Sequence, residues 1–185
     1  MSTTAPTDRY DFALTTTSAD AAAHYRAAIE CLQYGNVGAV ARLEQAVAAD
    51  EGFALAHATL AQAYQQSGKM DDAKTSIARA HALAGDATRR ERQQIAFLAA
   101  VVGNAMPRAL ALGRDHLDDF PRDGFLLGQW RFLTTYSSEK DRQAQAYAVL
   151  TRLAPLYKPR QNLVDTCLPL PVAEKRGADA TVYER

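Results

Sequence analysis

Residues 54–80, which read ALAHATLAQAYQQSGKMDDAKTSIARA, carry the clearest structural signal in the chain. Leu60 and Tyr64 are four residues apart and would share one face of a first helix. Gly68 would end that helix in a left-handed conformation. Ala73 is small enough to let a second helix pack closely against the first. The stretch therefore predicts two α-helices joined by a short turn.

A second copy of this pattern lies upstream. Gly35 precedes Gly68 by 33 residues, and Leu43 precedes Ile77 by 34 residues. Two weaker helix pairs follow, so the pattern predicts eight helices, at residues 18–33, 37–49, 53–67, 70–84, 88–103, 105–119, 123–136 and 139–154. The expected fold is all-α: a right-handed α-solenoid of about four antiparallel helix pairs.

The remainder of the chain divides around this predicted repeat domain. Residues 1–17 are predicted to be an ordered or half-ordered lead-in. The repeat domain covers residues 18–156. Residues 157–185 are proline-broken and are predicted to form an irregular, loose tail.

The positions of Leu60, Ala61, Gly68, Ala73 and Ala80 resemble the tetratricopeptide repeat, a helix–turn–helix unit of about 34 residues. Four further segments are similar to the N-terminal part of bacterial members of the tetratricopeptide repeat protein 38 family: residues 8–18, 49–57, 90–94 and 117–123. The resemblance covers roughly residues 8–157 and implies an all-helical repeat protein with no assigned reaction. Because family members continue with further repeats, the resemblance also implies a truncated version.

Composition excludes several classes of protein. Alanine fills 37 of the 185 positions, which favours helices over sheets. Lys+Arg and Asp+Glu both number 21, so the basic excess of a nucleic-acid-binding protein is missing. The most apolar run, residues 95–102, is too short to span a membrane. Cys31 and Cys167 form neither a disulfide framework nor a metal-binding spacing, and no secretory signal is visible, so a cytoplasmic location is expected.

Few residues point to chemistry. His24 and His57 occupy the same repeat position and are expected to be packing residues. His81 lies late in a helix, and His116 neighbours an acidic group expected to be a solvated helix end, formed by Asp115, Asp118 and Asp119. Cys31 is expected to be a small buried residue rather than a nucleophile. We therefore predict no catalytic residue, no cofactor and no metal site.

A basic cluster, Arg89, Arg90 and Arg92, stands at a predicted helix start. Its expected role is solubility and pairing with Glu91 or with the acidic residues near 115–119. Capture of an anion or an acidic peptide is the alternative.

The repeat pattern favours a non-catalytic scaffold that binds an unknown protein or peptide in a concave groove. The residues expected to face this groove are Tyr25, Ile29, Gln33, Ala58, Gln62, Gln65, Gln66, Gln94 and Leu98. The alternatives are an accessory or regulatory enzyme subunit and a truncated family member with no activity of its own. Self-association through the last helix pair is a further expectation, whereas nucleic-acid and membrane partners are not expected.

Overall fold

The computed structural model of the protein describes residues 5–138 and 140–157. Within these ranges the chain forms eight α-helices and no strand, which confirms the all-α prediction. The helices are α1 (Ala19–Tyr34), α2 (Ala39–Ala49), α3 (Ala54–Gln66), α4 (Met70–Leu83), α5 (Arg89–Val102), α6 (Met106–Asp119), α7 (Gly124–Tyr136) and α8 (Arg142–Leu153). Among them, none combines the length and the apolar character that a membrane crossing requires.

Three of the eight described α-helices, α1, α5 and α7, begin with a residue whose side chain caps the helix. Ser18 caps α1 with its side chain, and Thr88 forms a reciprocal capping box with Glu91 at the start of α5. The predicted start of the last helix at residue 139 is wrong. That helix begins at Arg142, because Asp141 before it is left-handed (φ 61°) and its side chain makes no capping hydrogen bond.

Each helix packs against the next one along the chain, and α3 also packs against α5. Ala61 and Ala73 are fully buried and share a small cluster with Tyr64 and Ile77. Gly68, in the turn between α3 and α4, has φ of 77°. The small residues and the left-handed glycine thus have the roles that the sequence predicted for them.

The lead-in is ordered where the structure describes it. Its backbone folds back on itself, with Leu14 N–H donating to the Pro6 carbonyl at 2.8 Å, and the Leu14 side chain is buried. Asp11 at the tip of this loop adopts φ of 66°. Of the predicted tail, Tyr157 is described and buried, whereas residues 158–185 lie outside the described ranges.

Candidate functional site

A cluster of buried polar side chains joins the lead-in to α5, α6 and α7. Arg90 pairs with Asp8 at 2.5 Å and with Asp123 at 2.7 Å. Asp123 also accepts hydrogen bonds from Gln94 Nε2 at 2.7 Å and interacts with His116 Nε2 at 3.1 Å. All five residues are almost completely buried. This buried polar cluster therefore connects helices that are distant in sequence.

The pKa values of the two carboxyl groups in the cluster are shifted in opposite directions. Burial raises the pKa of Asp8, and the attraction of Arg90 only partly offsets this effect. Burial would also raise the pKa of Asp123, but the hydrogen bond with His116 and the charge of Arg90 outweigh it, so the pKa is lowered. The Arg90 guanidinium, although desolvated, has a raised pKa because both carboxyl groups favour its charged form.

This cluster places His116 and corrects the expectation for Arg90. His116 is fully buried beside Asp123, the capping residue of α7, whereas Asp115, Asp118 and Asp119 near it in sequence are exposed, as expected of a solvated helix end. Arg90 is also buried and pairs with acids from the lead-in and α7, rather than with Glu91 or the 115–119 group. Arg89 does pair with Asp119, as expected for that cluster.

The lead-in covers the side of α1 and α7 that was expected to be an open groove. The Tyr10 hydroxyl accepts a hydrogen bond from Gln33, and Arg26 donates to the Thr7 carbonyl at 2.8 Å. The Tyr10 ring lies against Gly124, where an added Cβ would come within 2.5 Å of it. Helix α1 also contacts α7 directly. The lead-in and α7 therefore cover the face of α1 that carries Gln33 and Arg26.

Most residues expected to face the groove are accordingly buried. Those with little or no exposed surface are Tyr25, Ile29, Ala58, Gln62, Gln94 and Leu98. Gln33 is half-buried and bonded to the lead-in. The chain's own lead-in therefore covers part of the expected groove, near Tyr25, Ile29 and Gln33, and the concave groove as a whole stays a prediction.

One part of the predicted surface does remain accessible. Gln62, Gln65 and Gln66 of α3 line a cleft of about 380 Å³. We call this the amide cleft; its other lining residues are Val101, Asn104, Met106, Ala109, Gln129, Phe132 and Leu133. None of the described residues that line it is charged.

The glutamines of the amide cleft are positioned by hydrogen bonds. Gln62 Nε2 donates to Gln129 Oε1 at 2.6 Å. Gln65 Nε2 lies 3.2 Å from the Val101 carbonyl and 3.3 Å from Asn104 Oδ1. The cleft therefore has a pre-arranged polar floor that joins α3 to α5 and α7.

The other candidate residues are dispersed. His24 lies on α1, His57 on α3 and His81 on α4. His57 Nε2 lies 3.1 Å from the Glu51 carbonyl, and burial lowers its pKa. Cys31, expected to be a small buried residue rather than a nucleophile, is a free thiol that is only partly buried. Among the described residues, no group of three or more His, Cys, Asp or Glu side chains could hold a metal ion.

Comparisons with family models, with curated proteins and with solved structures find no match to this chain. The resemblance to tetratricopeptide repeat proteins therefore stays a prediction from the sequence. Any functional assignment depends on the geometry of the residues described above.

The sequence reasoning missed the central role of Asp8 and Asp123. Their partner Arg90 was singled out, but only as part of a surface cluster. A local signal existed for Asp123, which follows Pro121 and precedes a helix as an N-cap residue does. Asp8 had no comparable signal, because its partner is 82 residues away in the chain.

Proposed function

We propose that this protein is a non-catalytic interaction module built on tetratricopeptide-like antiparallel helix pairs. Two observations support the repeat assignment. Ala61 and Ala73 are fully buried in one cluster contributed by α3 and α4, as the repeat requires of its small residues. Gly35 and Gly68 both have positive φ at equivalent positions of two successive pairs. The module would act in the cytoplasm as a binding partner in a protein assembly.

The proposed ligand is an extended, uncharged peptide segment bound in the amide cleft. The observation that carries this proposal is the side chain of Gln62, which is 2% exposed. Its Nε2 is bonded to Gln129, whereas its Oε1 has no hydrogen-bond partner among the described residues. A buried polar atom without a partner costs about 1–3 kcal/mol, and a peptide N–H entering the cleft would supply the partner.

The rest of the lining fits the same ligand. A charged segment would lose its solvation there with no opposite charge to compensate, which favours an uncharged one. Phe132 is 57% exposed and packs against Tyr136, with 4.9 Å between the ring centroids and the two rings tilted by 55°. Together with Leu133 and Met106, Phe132 offers apolar surface for a peptide side chain. Amides for the backbone and apolar groups for alternate side chains are the requirements of extended-peptide recognition.

The proposal is tested by selecting peptides from a random display library against the full chain. Affinities of the enriched peptides are then measured by fluorescence anisotropy. We expect Phe132→Ala to weaken binding by about tenfold or more, because exposed aromatic anchors dominate such interfaces. Gln66→Ala should weaken binding by about two- to tenfold through the loss of one neutral hydrogen bond.

The matched control is Val37→Ala, which changes a side chain that is 96% exposed in the turn between α1 and α2. This variant should bind the peptides as tightly as the wild type. Enriched peptides that bind all three variants equally well would contradict the amide cleft as the binding site.

A further inference from the structure

A second cavity, distinct from the amide cleft, lies between α7 and α8. Its volume is about 500 Å³, within the range typical of small-molecule sites. It shares no lining residue with the amide cleft. We call it the arginine pocket; its lining residues are Arg131, Thr134, Thr135, Arg142, Gln143, Ala144, Ala146 and Tyr147.

The charged side chains that the structure describes in the arginine pocket are both positive. Two guanidinium groups, from Arg131 and Arg142, line it, and the described lining residues include no Asp or Glu. Within the described residues neither arginine forms an ion pair, although Arg89, Arg90 and Arg152 all do. The Nε atom of Arg131 is buried and has no hydrogen-bond partner there. Two cations that have no acidic partner among the described residues of the cavity favour an anionic ligand.

The start of α8 adds a further source of positive potential. Arg142, Gln143 and Ala144 are the first three residues of this helix, and all line the pocket. Their backbone N–H groups have no intrahelical partner, and the preceding Asp141 provides no side-chain cap. Uncapped N–H groups at a helix N-terminus bind phosphate groups well.

Arg131 is held in place from its own helix. One of its terminal nitrogens donates to the Thr135 hydroxyl, which itself donates to the Arg131 carbonyl at 3.1 Å. Thr134 donates to the Trp130 carbonyl at 2.8 Å. Both threonine hydroxyls therefore donate their hydrogen bonds to carbonyl groups of the helix backbone. The guanidinium groups and the helix N–H groups, together with the side chains of Gln143 and Tyr147, are the donors that line the pocket for a ligand.

We propose that the arginine pocket binds a small organic phosphate. The phosphate group, with a charge of about −1.5 to −2 near pH 7, contacts Arg131, Arg142 and the N-terminal N–H groups of α8. The organic part lies against Tyr147, Ala144 and Ala146. This inference is independent of the proposed peptide ligand, because the two sites have no residue in common.

The experiment is isothermal titration calorimetry on the full chain with phenyl phosphate as the probe. We expect saturable binding at one site, weakened as ionic strength rises. Arg131→Gln and Arg142→Gln should each weaken binding by about tenfold or more, the loss typical of a charge-assisted hydrogen bond. Thr135→Val should weaken it less, because it loosens Arg131 without removing the charge.

The matched control is Arg108→Gln, which removes an exposed arginine of α6 that does not line the pocket. Its affinity for phenyl phosphate should stay within about twofold of the wild type. On the wild-type chain, the Nε–H resonance of Arg131 should also shift during the titration. This readout needs no variant and separates ligand binding from an effect of mutation on folding.

Three outcomes would overturn the proposal. The first is no saturable binding below about 10 mM phenyl phosphate. The second is equal binding by all the arginine variants. The third is a phosphotyrosine peptide that binds more than tenfold more tightly than phenyl phosphate, since this would assign the pocket to a protein partner. Inorganic phosphate that binds as tightly as phenyl phosphate would contradict the role given to Tyr147.

Discussion

Asp123 shows how a single residue holds several helices of this protein together. Its carboxylate is fully buried and contacts Arg90, His116 and Gln94, while its second oxygen accepts the Leu126 N–H at 3.2 Å. A buried charge is tolerated only when its hydrogen-bonding capacity is satisfied, as it is here. Removing this charge leaves Arg90 with Asp8 as its remaining acidic partner.

Replacing Asp123 with Asn should therefore destabilise the protein strongly. We expect the free energy of unfolding at pH 7 to fall by about 3–5 kcal/mol, the usual cost of breaking a buried ion pair. Urea denaturation followed by circular dichroism measures it. The control is Asp118→Asn, which removes an exposed acid paired with Arg152 and should cost less than about 1 kcal/mol. Equal losses in both variants would contradict the importance of the buried pair.

The pKa shifts predict how stability depends on pH. The lowered pKa of Asp123 gives a stabilisation that is present above the ordinary carboxyl pKa of 3.8 and is lost as pH falls through the folded-state pKa. The raised pKa of Asp8 acts in the opposite sense: its contribution is present below the ordinary pKa of 3.8 and is lost as pH rises through the folded-state pKa. On acidification, the free energy of unfolding should therefore fall less in the Asp123→Asn variant than in the wild type. In the Asp8→Asn variant it should fall more than in the wild type. Unfolding measured between about pH 2 and 6 tests this, and parallel curves for all three proteins would refute it.

Gly113 is a residue whose small size is required by packing. A Cβ added to it would lie 2.4 Å from Cδ1 of Trp130 and 3.1 Å from Cε2 of Phe97. Trp130 cannot move away easily, because it is buried and donates to the Leu110 carbonyl at 3.1 Å. Gly113→Ala should lower the unfolding free energy by about 1–3 kcal/mol despite the better helix propensity of alanine.

Gly85→Ala is the matched control for this substitution. Apart from its own backbone turn, no heavy atom of the described residues lies within 4 Å of a Cβ added at Gly85. Its thermal unfolding midpoint should equal or exceed that of the wild type. A midpoint for Gly113→Ala that matches the control would mean that the Trp130 ring accommodates the extra methyl group.

At the scale of the element, local chemistry explains what the sequence could predict. Helix positions follow from periodicity, and the ends at Ser18, Thr88 and Gly68 follow from capping and left-handed glycine, which involve only near neighbours. The start of α8 could not be predicted, because Asp141 adopts a left-handed conformation that non-glycine residues rarely take. Three residues expected to face the groove, Gln62, Gln65 and Gln66, line the amide cleft, whereas the lining residues on α7 are brought there by tertiary packing that leaves no sequence pattern.

The role of the lead-in could not be predicted from the sequence. Its composition predicts only a segment before the first helix, yet it places Asp8 against Arg90 and buries Leu14. Contacts of this kind join residues far apart in sequence and leave no periodic pattern. The closure of the expected groove by the chain's own lead-in could therefore not be seen from the sequence.

Deleting residues 1–17 should destabilise the protein by at least about 3 kcal/mol, since Arg90 loses one of its buried acidic partners. Urea unfolding monitored by circular dichroism measures the loss. The control is Ala13→Ser, an exposed change in the same segment, which should stay within about 0.5 kcal/mol of the wild type. A deletion variant as stable as the wild type would show that the lead-in contributes nothing to the fold.

At the scale of the whole molecule, contacts distant in sequence make the helices interdependent. In open repeat arrays each unit contacts only its neighbours, so cooperativity can break down along the chain. Here α1 contacts α7, and the lead-in contacts α1, α5 and α7. These links predict a single unfolding transition for residues 5–138.

The single tryptophan, Trp130 on α7, provides a local probe of this cooperativity. Its fluorescence and the far-ultraviolet circular dichroism should give the same urea midpoint in the wild type. In the 1–17 deletion, which removes one link between early and late helices, the two midpoints should separate. Separate midpoints in the wild type would show that α7 unfolds independently of the other helices.

The pairing of Asp8 with Arg90 also has a consequence for the order of events on the ribosome. Synthesis proceeds at about 5–20 residues per second, so the 82 residues between these partners take roughly 4–16 s to make. The lead-in is the first of these segments to emerge, yet its partners on α5 and α7 are translated later. During that interval Asp8 lacks its buried partner Arg90 and Tyr10 lacks its packing surface at Gly124, so the lead-in completes its native contacts only after α5 and α7 have been made.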